Sequence, residues 1–97
     1  MKKLYLLPSA LADIDAIWVY TAEQWGIQQA ERYVDDIFDA CEALAAGVKQ
    51  GRKFEPRAGY FRYAVGSHAI FYLRDEGQRM KVVRILHGSM DAPKHLK

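Results

Sequence analysis

The chain has 97 residues, 51% hydrophobic and 27% charged, with a net charge of +2. This is the composition of one globular domain, and its longest apolar runs are too short to span a bilayer. Met1-Lys2-Lys3 has the charge of a signal peptide, but Pro8 and Asp13 interrupt the apolar stretch that would have to follow it. The one cysteine, Cys41, excludes an internal disulfide, and no second Cys or His stands at ligand spacing. A cytoplasmic protein with a buried thiol, no metal and no cofactor is expected.

The first candidate element is a short strand over residues 2–7, closed by Pro8. Ser9 is placed to cap a helix, with Asp13 in the first turn, where the helix dipole favours an acid. Leu11, Ile14, Ile17, Trp18 and Thr21 recur at three and four residues. Trp25 extends the series, and Gly26 stops the helix. A second helix starts at once. Ala30, Tyr33, Val34, Ile37, Phe38, Cys41, Leu44 and Ala45 form its apolar stripe, acids fill the opposite side, and Gly47 ends it. Two long helices joined this closely form a tight antiparallel hairpin. Trp18 and Trp25 are expected in the core at its base.

Residues 48–58 are basic and turn-rich and read as a solvated loop. Three strands follow, over residues 60–65, 68–74 and 79–87, joined by Gly66-Ser67 and by Asp75-Glu76-Gly77. The last contains Val82-Val83-Arg84-Ile85-Leu86, an aliphatic run of the kind found in a central strand. The expected fold class is α+β: a short N-terminal strand, an antiparallel helical hairpin, then a three-stranded antiparallel meander, with the helices packed on one face of a small sheet. Arg84 is the anomaly. A charge inside a buried run needs a partner or a wet face, so Arg84 either pairs with an acid of the hairpin or Asp91, or it marks a functional surface.

Charge is unevenly placed. Residues 9–46 hold eight acids against one base, and residues 49–87 hold nine bases against three acids. The basic half suits an acidic partner unless the two halves neutralise one another inside the fold. Arg62, His68, Arg84 and His87, with Tyr60, Tyr63 and Tyr72 nearby, could in principle cleave RNA through a general base and phosphate-binding cations. Strand parity opposes this. Arg84 and His87 are three apart and point to opposite faces of a regular strand. No acid within the strands orients either histidine. No serine sits in a nucleophile elbow, and no phosphate-loop pattern occurs.

Three ordered stretches carry a resemblance. They are Leu7-Pro8-Ser9-Ala10 with Asp13, Ile17-Trp18-Val19-Tyr20-Thr21 and Gln24-Trp25-Gly26; Gln29-Ala30 with Tyr33; and Gly59-Tyr60 with Arg62, Gly66-Ser67-His68-Ala69-Ile70-Phe71-Tyr72, and Arg84-Ile85-Leu86-His87 with Met90-Asp91. Together they span nearly the whole chain, which resembles the ParE toxins of the RelE/ParE superfamily of type II toxin–antitoxin systems. The resemblance implies a non-enzymatic toxin that inhibits DNA gyrase, blocks replication and arrests growth. A ParD-like antitoxin with an acidic C-terminal segment would neutralise it in a hetero-oligomer. Neither membrane nor sequence-specific nucleic acid is implied as a partner. Target- or antitoxin-binding candidates are Arg62, His68, Tyr72, Arg84, His87, Met90 and Asp91, with no catalytic residue among them. Phe61 stands beside Arg62 where ParE relatives often carry a second cation. His87 stands where some nucleases of the superfamily carry a histidine, which keeps open the alternative of a ribosome-dependent mRNA endoribonuclease of the RelE type. Residues 90–97 read as an exposed, flexible, lightly basic tail that contributes to target binding.

Overall fold

The computed structural model describes residues 3–96. Its elements are β1 (Leu4–Leu6), α1 (Pro8–Trp25), α2 (Ile27–Ala45), β2 (Arg52–Lys53), β3 (Phe61–Val65), β4 (His68–Arg74), β5 (Met80–His87) and α3 (Ala92–His95). The α+β class, the helical hairpin and the meander are as expected. Lys2 and Lys97, the ends of the expected first strand and tail, lie outside the described residues.

The sheet order is β1-β5-β4-β3-β2. β1 runs parallel to β5, with Leu4 opposite Met80 and Leu6 opposite Val82, and the other pairings are antiparallel. β2 is an addition to the expected strands. Its two residues are both exposed cations, so no apolar alternation announces it inside the turn-rich connector.

Both helices cover one face of the sheet. Ala10, Ile14 and Ile17 of α1 meet Ile37, Cys41 and Leu44 of α2 over Ile70, Tyr72, Met80, Val82 and Ile85. The far face has its own cluster of Tyr60, Ala69, Phe71, Leu86 and Leu96. Ala69 to Tyr72 are therefore all buried, which explains their continuous apolar run: β4 is covered on both sides. In β5 the register shifts by one, from Phe71 opposite Arg84 to Tyr72 opposite Val82, leaving Val83 as an extra residue. That bulge lets Val82 and Ile85, three apart, both reach the helix side.

Several local expectations differ from the structure. Leu7, not Ser9, precedes the first helical residue, and Pro8 occupies the first turn, where a missing N–H costs nothing. Ser9 instead donates its hydroxyl to Val83 O at 2.7 Å. β1 is too short to pair beyond Val82, so α1 serves the rest of that edge of β5. Trp25 is 73% exposed rather than buried. The last buried residue of α1 is Thr21, one turn before Trp25. The tail is not free: Leu96 is 1% exposed within the far-face cluster, and Arg57 donates to its carbonyl.

The end of α2 does follow expectation. Gly47, at φ +80°, lets the chain reverse, so that Gly47 N–H donates to Leu44 O and Val48 N–H to Ala43 O.

Candidate functional site

Two grooves, one on each side of the sheet, hold most of the candidate residues. The helix-side groove, about 550 Å³, lies between the tip of the helical hairpin and the β3–β4 turn. Tyr20, Trp25, Gln29 and Tyr33 line it from the helices, and Ser67, His68 and His87 from the sheet. His68 and His87 are directly opposite across β4 and β5, with ring centroids 5.2 Å apart and planes at 89°.

Tyr33 locks α2 to this turn. Its hydroxyl oxygen receives Ser67 N–H at 3.0 Å, lies 2.6 Å from His68 Nδ1, and can donate to Val65 O at 3.2 Å. A phenol has one hydrogen. When Nδ1 of His68 carries no hydrogen, the phenol donates to it. When His68 is charged, Nδ1–H donates to the phenol, which then donates to Val65 O. Gly66, at φ +57°, allows this fit, because a Cβ there would lie 2.6 Å from the Tyr33 ring. Burial, then the charge of neighbouring His87, pushes the His68 pKa below 6.5, with Asp13 opposing weakly.

His87 is oriented differently. Ser89 N–H donates to its Nδ1 at 3.1 Å, and Ser89 Oγ is 2.8 Å from the same atom. The neutral ring therefore carries its hydrogen on Nε2. Among the described residues no group of three His, Cys, Asp or Glu could hold a metal ion. The Cys41 thiol is buried, and its pKa is pushed up to about 12, which leaves it inert as a nucleophile.

The far-side groove, about 320 Å³, is lined by Arg62, His87, Met90 and Asp91 together with apolar Phe54, Phe71, Leu86 and Pro93. His87, at the end of β5, touches both grooves. Arg62 faces the far side opposite Phe71 and is exposed. Four candidates thus meet here, and His68 meets His87 on the other side.

Arg84 and Tyr72 are elsewhere. Arg84 Nε donates to Asp13 Oδ2 at 2.7 Å and Nη2 to Asp13 Oδ1 at 2.8 Å, so the anomalous arginine has its acid on the helical hairpin. Tyr72 is 2% exposed; its ring stacks on Phe61, and its hydroxyl accepts Gly51 N–H at 3.0 Å. Sequence reasoning did not assign Tyr20, Trp25 or Gln29 to a groove. The available signal was the run of large side chains at Tyr20, Trp25 and Ile27 around the Gly26 stop.

The two halves of the charge pattern do not cancel. Among the described residues, Asp13–Arg84 is the one ion pair between them; Asp75–Arg79 and Asp91–Lys94 are local. The helical hairpin stays acidic and the β2–β3 side of the sheet basic. No helix among the described residues is long and apolar enough to cross a membrane.

Comparison with known proteins agrees with this architecture. The family model for the ParE toxin of the type II toxin–antitoxin system parDE matches residues 4–92. Toxin ParE1 of Caulobacter vibrioides is 41% identical over 97 residues, covering 99% of each chain. Toxin ParE1 of Mycobacterium tuberculosis is 39% identical over 98 residues, covering 99% of this chain and all of its own. A solved structure of the chromosomal ParDE system from P. aeruginosa superposes with a TM-score of 0.74 at 25% identity, over 87% of this chain and 92% of that one. With the family model spanning nearly every element and relatives matching end to end, the chain belongs to the ParE toxin family of type II toxin–antitoxin systems.

Proposed function

We propose that the chain arrests growth by binding and inhibiting DNA gyrase, without chemistry of its own, and that a ParD-like antitoxin neutralises it in the cytoplasm. Family membership supplies the reading. One observation supports a binder over a nuclease: among the described residues no Lys or Arg lines the groove where His68 and His87 pair, and in the far-side groove His87, its Nδ1 taken by Ser89, stands with one cation, Arg62, beside an acid, Asp91. RNA cleavage needs a base and phosphate-binding cations around one phosphate.

The surfaces suit protein partners. Val19, Tyr20, Trp25 and Ile27 are large, apolar and exposed around the tip of the hairpin. The far-side groove joins apolar walls to Arg62, a combination that fits an acidic segment with apolar anchors.

The test is a supercoiling assay with purified gyrase, relaxed plasmid, ATP and this protein. The expected result is loss of supercoiling with accumulation of protease-released linear DNA, both reversed by the antitoxin. Intact supercoiling together with mRNA cleavage on translating ribosomes would overturn the proposal in favour of the ribonuclease.

A further inference from the structure

A third pocket, about 370 Å³, lies apart from both grooves, where the end of α2 meets the start of β1 and the end of β4. Lys3, Lys49 and Arg74 line it, with the amides of Gln50 and Gln78, and no Asp or Glu is among the described residues that line it. Three cations converging on one concavity repel one another.

Each is delivered by a segment whose backbone is tied down. Lys3 O accepts Met80 N–H at 2.7 Å, and Lys49 N–H donates to Ala43 O at 3.2 Å. Arg74 donates to Gln78 O at 3.0 Å and to Leu44 O. Among the described residues neither lysine has a carboxylate partner; Lys49 Nζ stands 5.8 Å from the Tyr63 ring centroid. The C-terminal end of α2 would ordinarily repel an anion. Here its carbonyls are already engaged: Ala43 O by Val48 and Lys49 N–H, and Leu44 O by Gly47 N–H and Arg74. The Tyr72 hydroxyl adds a polar atom to the lining. It accepts Gly51 N–H and keeps its own hydrogen to donate. Gly51 is held to glycine by this approach, since a Cβ would lie 2.5 Å from the Tyr72 oxygen.

We propose that this pocket binds an oxyanion, a carboxylate or phosphate group, through Lys3, Lys49 and the remaining donors of Arg74. Charge-assisted hydrogen bonds from two flexible ammonium groups and one fixed guanidinium suit such a group. The inference is independent of the cellular target of the chain.

The experiment is amide NMR on the ¹⁵N-labelled full chain at constant ionic strength. One arm titrates inorganic phosphate and the other a tetraglutamate peptide. Saturable shifts centred on the Gly47, Gln50, Gly51 and Gln78 amides are expected, with an apparent Kd of about 1 mM. Lys3→Ala and Lys49→Ala should each weaken binding about tenfold, and Lys81→Ala, exposed on β5 and outside the pocket's lining, should leave it unchanged. All three lysines are exposed, so these variants keep the core intact. Saturation by both probes supports a general oxyanion site. Saturation by phosphate alone supports a free-anion site, and by the peptide alone a carboxylate site for an acidic segment. Linear, non-saturating shifts in both arms, or equal affinity in the Lys3 and Lys49 variants, would overturn the proposal.

Discussion

Asp13 holds both sides of one junction: it binds the Arg84 guanidinium through two bonds of 2.7 and 2.8 Å and accepts Ile85 N–H at 2.9 Å. One turn earlier, Ser9 takes Val83 O. The first two turns of α1 thus continue the hydrogen bonding of β5 where β1 ends, and the helix acts as the missing edge partner. Asp13→Asn keeps an acceptor for Ile85 N–H but removes the charge from a partly buried arginine. A loss of about 2 kcal/mol is expected in urea unfolding. Adding Arg84→Met should restore part of it, because no unpaired cation then remains. Additive losses in the double variant would show that the pair is not coupled.

The β3–β4 turn is fixed by Tyr33 fitting over Gly66. Gly66→Ala meets a left-handed backbone at φ +57° and a ring carbon at 2.6 Å. The expected cost is about 2 kcal/mol. In a Tyr33→Ala background the same change should cost only about 1 kcal/mol, the backbone share. An equal cost in both backgrounds would mean that the ring does not constrain the turn.

His68 gives stability a pH dependence. Its folded pKa is held below the unfolded value of 6.5, first by burial and then by His87. The unfolded chain therefore takes up a proton more readily than the folded one. The contribution of His68 to stability is fully present above pH 6.5 and is lost as pH falls through the folded value. His68→Asn keeps an acceptor near the Nδ1 position and does not titrate, so its urea midpoint should fall less between neutral and mildly acidic pH. Identical slopes for the two proteins would assign the pH dependence to other groups.

How legible this was in the sequence depends on the reach of each signal. The stripes of both helices, the strand at residues 68–74 and the Gly47 stop rest on neighbours within one or two turns, and local periodicity carries them. Arg84 announced a need for a partner but not which acid, because 71 residues separate it from Asp13. Trp25 continues the α1 stripe in spacing, yet it stands 73% exposed at the rim of the helix-side groove, which only the assembled fold shows. The two faces of the candidate site depended on parity. Arg84 and His87 do oppose one another, since the Val83 bulge lies before both. Tyr72 and the cations around its hydroxyl come from three distant segments, a convergence no local pattern encodes.

The chain end offers the sharpest contrast between pattern and packing. Residues 90–97 are short, polar and proline-containing, a composition that reads as a loose tail. Yet Leu96 is 1% exposed against Tyr60, Ala69, Phe71 and Leu86, while Arg57 and Arg84 donate to the Leu96 and His95 carbonyls. Removing residues 92–97 would uncover this far-face cluster and leave both arginines without those acceptors. Leu96→Ala alone should cost about 2–4 kcal/mol, whereas Lys94→Ala, exposed and paired with Asp91 only at 3.9 Å, should cost less than about 0.5 kcal/mol. Thermal or urea unfolding of the two variants decides the matter. Equal stability would mean that the tail is loose in solution, and toxicity lost on truncation could then be assigned to target contact. A large loss at Leu96 would mean that truncation acts first through the fold.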